Sequence, residues 1–513
     1  MVRLSLPVAP LMSFLFTASP ARLFWLFALT HMLVWTVVST LCSPNAPLDV
    51  IEGYAWGREW VLGTYKHPPL QAWILEIFAF VTERAAWAHF LASQMSILIA
   101  FWAVWQTGRR ILSEKEALIG ALLLEGVVYY TFTSPEFNPN VLQLPFWALI
   151  GLFFHRAFQE NKILDWMLLG LWSAAGLYTK YSTGLLLLAL AVFALAHPLS
   201  RQRFQTKGPY LSLLVCLLLF VPHFVWLAQH HFIALNYAAN RMQEMGNGVP
   251  TVSFSFLKFG WAQLGALSPL IILLWVLQGF KRPAAEGAVC RSFDGGFLTV
   301  VTFAPFLVTF SLAALGGYKA HDMWGASFWN FAGLWGLFYL RPLLTPPALR
   351  RFGWAWGGVS VLMLGVYIGM TSLAPYVSAK HHLRVHFPGQ ALADQISAAW
   401  EAKTHTPLSY VVGDTWVAGN VAYYAPSRPH VFILGDPVIS PWIDLEAFHH
   451  AGGIAVWCIQ GCSAKRDKGE APPSFVQDSF PQPLMQQPVS LARQTGADVP
   501  PVIIGWAMIL AGD

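Results

Sequence analysis

Charge is the scarcest property of this sequence. Asp, Glu, Lys and Arg make up only 11% of its 513 residues, against roughly a quarter in an ordinary soluble domain. So thin a supply cannot cover a water-facing globular surface, which argues against a soluble main body. Cysteine is also sparse, at five residues. Cys42, Cys216 and Cys290 fall in or beside apolar runs and read as inert packing. Cys458 and Cys462 fall in a more polar C-terminal stretch, where an oxidising compartment would permit a disulfide. A second ligand pair of the kind a structural zinc site needs is missing. So are internal repeats and the glycine-rich loop that cradles nucleotide phosphates.

What is abundant is apolar. Hydrophobic residues are 56% of the chain, with 24 Trp and 37 Phe, and the mean hydropathy is +0.51. Aromatic side chains in that number suit helices anchored at two membrane interfaces. Apolar runs near 23–42, 86–105, 116–133, 141–155, 164–179, 182–197, 209–227, 256–280, 296–315, 323–340 and 352–371 predict about eleven spans. The fold class is therefore mainly α and polytopic. The formal charge of +5 reads as topology, not as a nucleic-acid surface, because the cations sort by loop. One set of loops collects Arg109, Arg110, Lys115, Arg156, Lys162, Arg201, Arg203, Lys207, Lys281, Arg282, Arg291, Arg341, Arg350 and Arg351. The opposite loops hold Arg58, Lys66, Arg84, Lys180, Arg241, Lys258 and Lys319. The positive-inside rule places the first set in the cytoplasm.

Three stretches need separate reading. Pro69 to Thr82 is apolar but short and contains Glu76, and counting it as a span would move Arg109 and Arg110 outside; it predicts a helix lying on the membrane surface. The first twenty residues imitate a signal peptide, but the topology favours an uncleaved N-terminus. From about Tyr376 to Asp513 the polarity becomes ordinary, with strand-like runs at 409–412, 430–434, 454–457 and 502–506 and helical stretches near 388–402 and 442–450. These predict a small α/β domain on the outer side, so that residues 1–375 form the membrane module and 376–513 an extracytoplasmic domain.

The most informative loop follows the first span. It carries Asp49, Glu52, Arg58 and the turn Tyr65-Lys66-His67-Pro68-Pro69 within 43–85. Ionisable groups at a membrane face tend to be kept for a task rather than for packing. A second external loop, 133–140, holds Glu136; Lys180 ends a span; and a late loop runs Gly316-Gly317-Tyr318-Lys319-Ala320-His321-Asp322-Met323-Trp324. Each has a plainer reading. Asp49 and Glu52 can cap a surface helix beginning near Val50, Lys180 can snorkel from a span end, Lys319 and His321 can anchor an interface, and His67 can fix its turn. Arg241, in the long 229–255 loop, reads first as loop surface, although Gly246 and Gly248 would let that loop close over a substrate.

Taken in order along the chain, the acidic first loop, the His-Pro-Pro-Leu turn, Thr133-Ser134-Pro135-Glu136-Phe137-Asn138-Pro139-Asn140, Tyr178-Thr179-Lys180-Tyr181 and the Gly-Gly-Tyr-Lys loop resemble the integral-membrane glycosyltransferases of the GT-C fold. The likeness is to the bacterial branch related to protein mannosyltransferases and lipid A aminoarabinose transferases, and it covers most of residues 20–345. It implies transfer of a sugar from a polyprenyl-phosphate carrier to lipid A, core lipopolysaccharide or another envelope glycoconjugate on the periplasmic side of the inner membrane.

Asp49 then stands at the reaction centre with Glu52 beside it. His67 stands where the aminoarabinose transferases carry Lys, and Glu136 where many relatives carry Asp. The chemistry makes the same demand: cations to hold the charge of a phosphate leaving group, and a carboxylate to take a hydroxyl proton. Arg58, Lys66, His67, Lys180, Arg241, Lys319 and His321 are candidates for the first, and Asp49, Glu52 and Glu136 for the second. A divalent metal ion stays open, with Asp49 and Glu136 as its candidate ligands; the sugar, the acceptor and the oligomeric state stay open too. A soluble sugar-nucleotide donor has no motif to bind it. A polyprenyl-lipid flippase or an envelope-assembly protein remains the alternative. A secondary transporter fits less well, because its charges should sit near mid-membrane.

One active site requires all these loops on one side of the membrane. Single cysteines near Thr64, Asn138, Gly317 and Ser427, in a background lacking native thiols, are expected to react with an impermeant thiol reagent in spheroplasts, and one near Gln202 is not. Protection at Asn138 and Gly317 with reaction at Thr64 would rule out a shared external site.

Overall fold

The computed structural model describes residues 19–243, 255–279, 293–378, 383–462, 472–480 and 483–512. The signal-like N-terminus, Gly246, Gly248, Lys281, Arg282, Cys290 and Arg291 lie outside the described residues. Seven described helices are long and apolar enough to cross a membrane: Pro20–Cys42, Ala88–Ile111, Pro139–Glu160, Gly208–Gln229, Ser255–Gln278, Phe293–Gly316 and Pro346–Val377. The other four expected spans are shorter or broken. Residues 164–179 and 182–197 correspond to the helices Ile163–Thr179 and Thr183–Ala196. The 116–133 run begins as Glu114–Leu122, held at its start by a Ser113–Glu116 capping box, and then tightens into 3-10 turns. The 323–340 run is a 3-10 stretch followed by Ala332–Leu340. A hydropathy window registers apolar content but not the backbone geometry that interrupts these runs.

The helices pack in chain order. Pro20–Cys42 lies on Ala88–Ile111, which lies on Pro139–Glu160, then Ile163–Thr179, then Gly208–Gln229. Pro139–Glu160 starts where Asn138 accepts the backbone N–H groups of Asn140 and Val141, with Pro139 preset for the first turn. Its apolar residues are buried on nearly all sides, as befits the centre of the bundle.

The stretch expected to lie on the surface is a helix, Leu70–Thr82. At thirteen residues it is about 20 Å long, too short for a hydrocarbon core of roughly 30 Å. It packs closely against Leu48–Gly57 because Gly53 and Gly57 face it: a Cβ on Gly57 would collide with the Ala72 carbonyl, and one on Gly53 with Leu75 and Gln71.

The C-terminal α/β expectation is met by a six-stranded sheet. β1 (Tyr410–Gly413), β2 (His430–Ile433), β3 (Gly453–Gln460), β4 (Leu484–Met485), β5 (Val489–Leu491) and β6 (Val502–Ile509) are ordered β2-β1-β3-β6-β4, with β5 also on β6. β1 is parallel to β2 and β3, and β6 is antiparallel to β3, β4 and β5. Cys458 and Cys462 are joined in a disulfide at the end of β3.

The period-two alternation of these strands gives the sheet two apolar faces. Val412, Phe432, Ala455 and Trp457 pack with Phe448, Val476 and Phe480 on one side. Val411, Val431, Ile454, Val456 and Ile504 share a core on the other side with Val50, Ile51, Tyr54, Ala72 and Leu75 of the two first-loop helices. The sheet is thus fixed to the first loop by a continuous hydrophobic core. A charged seam borders it: Arg428 makes a two-pronged ion pair with Glu76 at 2.9 and 2.7 Å, Arg84 donates to the Tyr423 and Ala425 carbonyls, and Tyr54 stacks on Tyr423.

Candidate active site

The helix Leu48–Gly57 sets the site. Asp49 stands in its first turn and Glu52 three residues on, so both lie on one face. Gln71 of the next helix locks the start of this helix to the second loop, its amide donating to the Asp49 carbonyl at 3.0 Å and the Phe137 carbonyl at 3.1 Å. The same register brings Glu136 to Asp49, whose backbone N–H donates to Glu136 Oε1 at 3.2 Å. The Lys66-His67 turn is built by Thr64, whose hydroxyl accepts both following N–H groups and donates to the His67 carbonyl. That turn delivers Lys66 Nζ to Glu52 Oε2 at 2.5 Å. The other Glu52 oxygen accepts the hydroxyl of Thr415, in the turn after β1, at 2.9 Å, so a carboxylate only 4% exposed has partners on both oxygens, as burial requires.

Lys180 reaches in from the end of Ile163–Thr179. Its Nζ donates to Asn140 Oδ1 at 2.6 Å and lies 5.8 Å from the Trp324 ring centroid, which brings the late loop to the same place. Over the Lys66 turn sits the helix Ile233–Gln243: Tyr237 meets the Tyr65 ring edge-on at 5.7 Å, and the Met242 carbonyl accepts the Lys319 N–H at 3.1 Å.

Burial raises the Asp49 carboxyl; Lys66 opposes the rise and Glu52 adds to it, with Arg384 and Lys180 pulling down further. Burial, then the neighbouring Asp49, push Glu136 up to about 7, against the N–H bond it accepts and against Arg384. Lys180 is lowered by burial to about 8, with Asp49 holding it from falling further. Burial also works to lower Lys66, but Glu52 and Asp49 outweigh it and the ammonium is held charged. His67 is pushed well down by burial and then by Lys66 and Lys180. It is therefore neutral, and would meet a phosphate as a hydrogen-bond donor rather than as a cation.

Of the sequence candidates, Asp49, Glu52, Glu136, Lys66, His67 and Lys180 are brought together. Arg58 goes elsewhere. It sits at the far end of the Asp49 helix, against His430 Nε2 at 3.4 Å, in a cluster with Glu59, Glu76, Arg84 and Arg428. Lys319 is exposed on the late loop, and His321 packs on Trp324 with ring centroids 5.0 Å apart. Arg241 is exposed one turn beyond Tyr237. These three border the site without entering the Asp49 group. Two contributors escaped the sequence reading: Thr415, and Arg384, whose charge acts on both Asp49 and Glu136. Among the described residues no group of three or more His, Cys, Asp or Glu is arranged to hold a metal ion; Asp49 and Glu136 form a pair.

The chain is similar to known proteins in sequence and in fold. A model of the dolichyl-phosphate-mannose-protein mannosyltransferase family matches residues 66–226, a stretch that contains Lys66, His67, Glu136 and Lys180. The lipopolysaccharide core galacturonosyltransferase RgtB of Rhizobium johnstonii is 22% identical over 432 residues, covering 79% of this chain and 82% of that protein. The lipid A galacturonosyltransferase RgtD of the same organism is 23% identical over 311 residues, 59% of this chain and 62% of that one. ArnT from Cupriavidus metallidurans, crystallised bound to undecaprenyl phosphate, superposes with a TM-score of 0.62 at 13% identity over 95% of this chain and 97% of ArnT. Its apo form gives 0.59.

The chain has the GT-C fold and is similar to glycosyltransferases that modify lipid A and the lipopolysaccharide core. The Asp49 group lies at the junction of the first loop, the second loop and the C-terminal domain.

The two raised carboxyls have a measurable consequence. A carboxyl whose folded-state value lies above its ordinary one near 4.5 binds its proton more tightly when folded. Its contribution to stability is complete below the ordinary value and is lost as pH rises through the folded value. The detergent-solubilised protein is expected to melt progressively lower between pH 5 and 8, and Glu136→Gln to flatten much of that slope. Equal slopes in both proteins would show that Glu136 ionises freely.

Proposed function

We propose that this transferase moves a hexuronic acid, galacturonic acid in the relatives it resembles, from a polyprenyl-phosphate carrier to lipid A or the lipopolysaccharide core, on the periplasmic face of the inner membrane. The observation that carries the proposal is the meeting of two lysines with two raised carboxyls, each pair drawn from different loops, in a chain similar to lipopolysaccharide galacturonosyltransferases. The superposition on ArnT, whose crystals hold undecaprenyl phosphate, supports the choice of donor.

Each side chain has a task in this reading. Lys66 and Lys180 grip the carrier phosphate, and Arg384 adds charge from the sheet side. As the bond between the sugar C1 and the phosphate oxygen breaks, its electron pair goes to that oxygen, where fixed cations stabilise it without reorganisation. The acceptor hydroxyl attacks C1 and its proton passes to the Asp49 carboxylate. A raised Asp49 is a better base than an exposed aspartate at neutral pH. Glu136 holds the Asp49 backbone, and Glu52 holds Lys66. Where the acceptor is itself a phosphate it needs no strong base, and Asp49 would then orient it. Lys319 and Arg241 at the border of the site also suit an anionic sugar, whose carboxylate would need a cation.

Mass analysis of lipid A and core from cells with and without this protein is expected to differ by one hexuronosyl unit. Asp49→Asn, nearly isosteric, is expected to insert normally and lose on the order of 10² to 10⁴ in rate. Wild-type transfer by a folded Asp49→Asn protein would remove Asp49 from the mechanism. A pentose or neutral hexose difference would overturn the sugar assignment alone.

A further inference from the structure

The helices that carry the site also run to the opposite membrane face. Ala88–Ile111 begins just after Arg84, which is bound to the Tyr423 and Ala425 carbonyls of the C-terminal domain, and its 24 residues advance about 36 Å. Pro139–Glu160 begins beside Lys180 and Asn140 and runs alongside it. At their far ends these two helices enclose a cavity of about 350 Å³, lined by Trp102, Gln106, Arg109, Arg110, Leu152 and Arg156. Half of that lining is arginine, in a chain where all charged residues together make up 11%.

The cavity is built, not incidental. Arg109 lies over the Trp105 ring at 5.0 Å and pairs with Glu114; Arg156 lies over Phe153 at 5.2 Å and pairs with Asp165 at 2.8 Å; Arg110 pairs with Glu160 and donates its Nε–H to His155 Nδ1 at 3.2 Å. His155 in turn meets Asp294. Each acid takes only part of a guanidinium that carries five N–H donors. The Arg156 Nε is buried and has no hydrogen-bond partner among the described residues. A buried unmet donor is costly, and an acceptor anion at this point would meet it. The cavity also has an apolar wall, Trp102 and Leu152, which suits the start of an acyl chain.

We propose that this cavity is a binding site for the phosphodiester headgroup of an anionic phospholipid, in the leaflet opposite the candidate active site. The phosphate lies among Arg109, Arg110 and Arg156, and Gln106 bonds the glycerol oxygens. Basic pockets between spanning helices on the positive side of a membrane have the chemistry for such headgroups, and guanidinium forks match phosphate oxygens. A lipid held there would pin the far ends of Ala88–Ile111 and Pro139–Glu160, the second of which carries Asn140, the hydrogen-bond partner of Lys180.

Native mass spectrometry of the full-length protein, titrated with phosphatidylglycerol and separately with phosphatidylcholine, tests this. Selective retention of phosphatidylglycerol is expected. It should weaken roughly tenfold or more in Arg109→Gln/Arg156→Gln, since charge-assisted contacts are lost. Because Arg156→Gln alone would strand Asp165, the triple variant with Asp165→Asn is measured beside it, and an unchanged melting temperature certifies its fold. Equal retention of both lipids, or undiminished phosphatidylglycerol retention in the folded triple variant, overturns the proposal. Displacement of the lipid by millimolar inorganic phosphate also overturns it, by assigning the cavity to a free anion.

Discussion

Glu52 is the carboxylate on which the site depends. One oxygen takes Lys66 of the turn, and the other takes Thr415, which is 363 residues further along the chain. Through that one group the first loop, the His-Pro-Pro turn and the sheet are held in a single register. The cost of burying it is offset because both oxygens have partners; removing either would leave an unmet buried charge, far more destabilising than the pair is stabilising. The surrounding apolar core, with Val50 and Ile51 against Val411 and Ile454, supplies the bulk attraction, and Glu52 fixes the alignment.

The remaining charges follow from that placement. Lys66 is held charged by Glu52 and Asp49, whereas Lys180, bonded to Asn140 and facing the Trp324 ring, is depressed by burial to about 8 despite the pull of Asp49. An arriving phosphate would offset the desolvation that lowers Lys180. On the other side Asp49 and Glu136, drawn together by a backbone bond, each resist ionisation. A site with strained cations and strained acids is primed for an anionic ligand and a mobile proton.

Much of this was legible in the sequence because charge is so sparse: in a chain with few ionisable groups, Asp49, Glu52, Glu136 and Lys180 at loop ends stand out. The strands of the sheet were legible too, from alternation with β-branched residues. What could not be read has a geometric cause. Arg58 looks like a neighbour of Asp49, but nine residues of helix separate them by about 14 Å, and it faces His430 instead. Arg384 and Thr415 carry no local signal, since their importance lies in interactions with partners more than 200 residues distant. The helix Val417–Tyr424, which seats Gly419 against Ile51, is short and lacks a long apolar period. The breaks after Leu122 and before Ala332 lie within runs that look uniformly apolar.

The proposed transfer requires the carrier phosphate to sit between Lys66 and Lys180, on the Asp49 side. The most direct measurement is an experimental structure of the full chain in lipid nanodiscs with undecaprenyl phosphate added. The expected density places the phosphate within hydrogen-bond distance of at least one of these two ammonium groups, with Asp49 facing the position of the sugar C1. Phosphate density absent from that position, or found only among Arg109, Arg110 and Arg156 at the opposite membrane face, would contradict it.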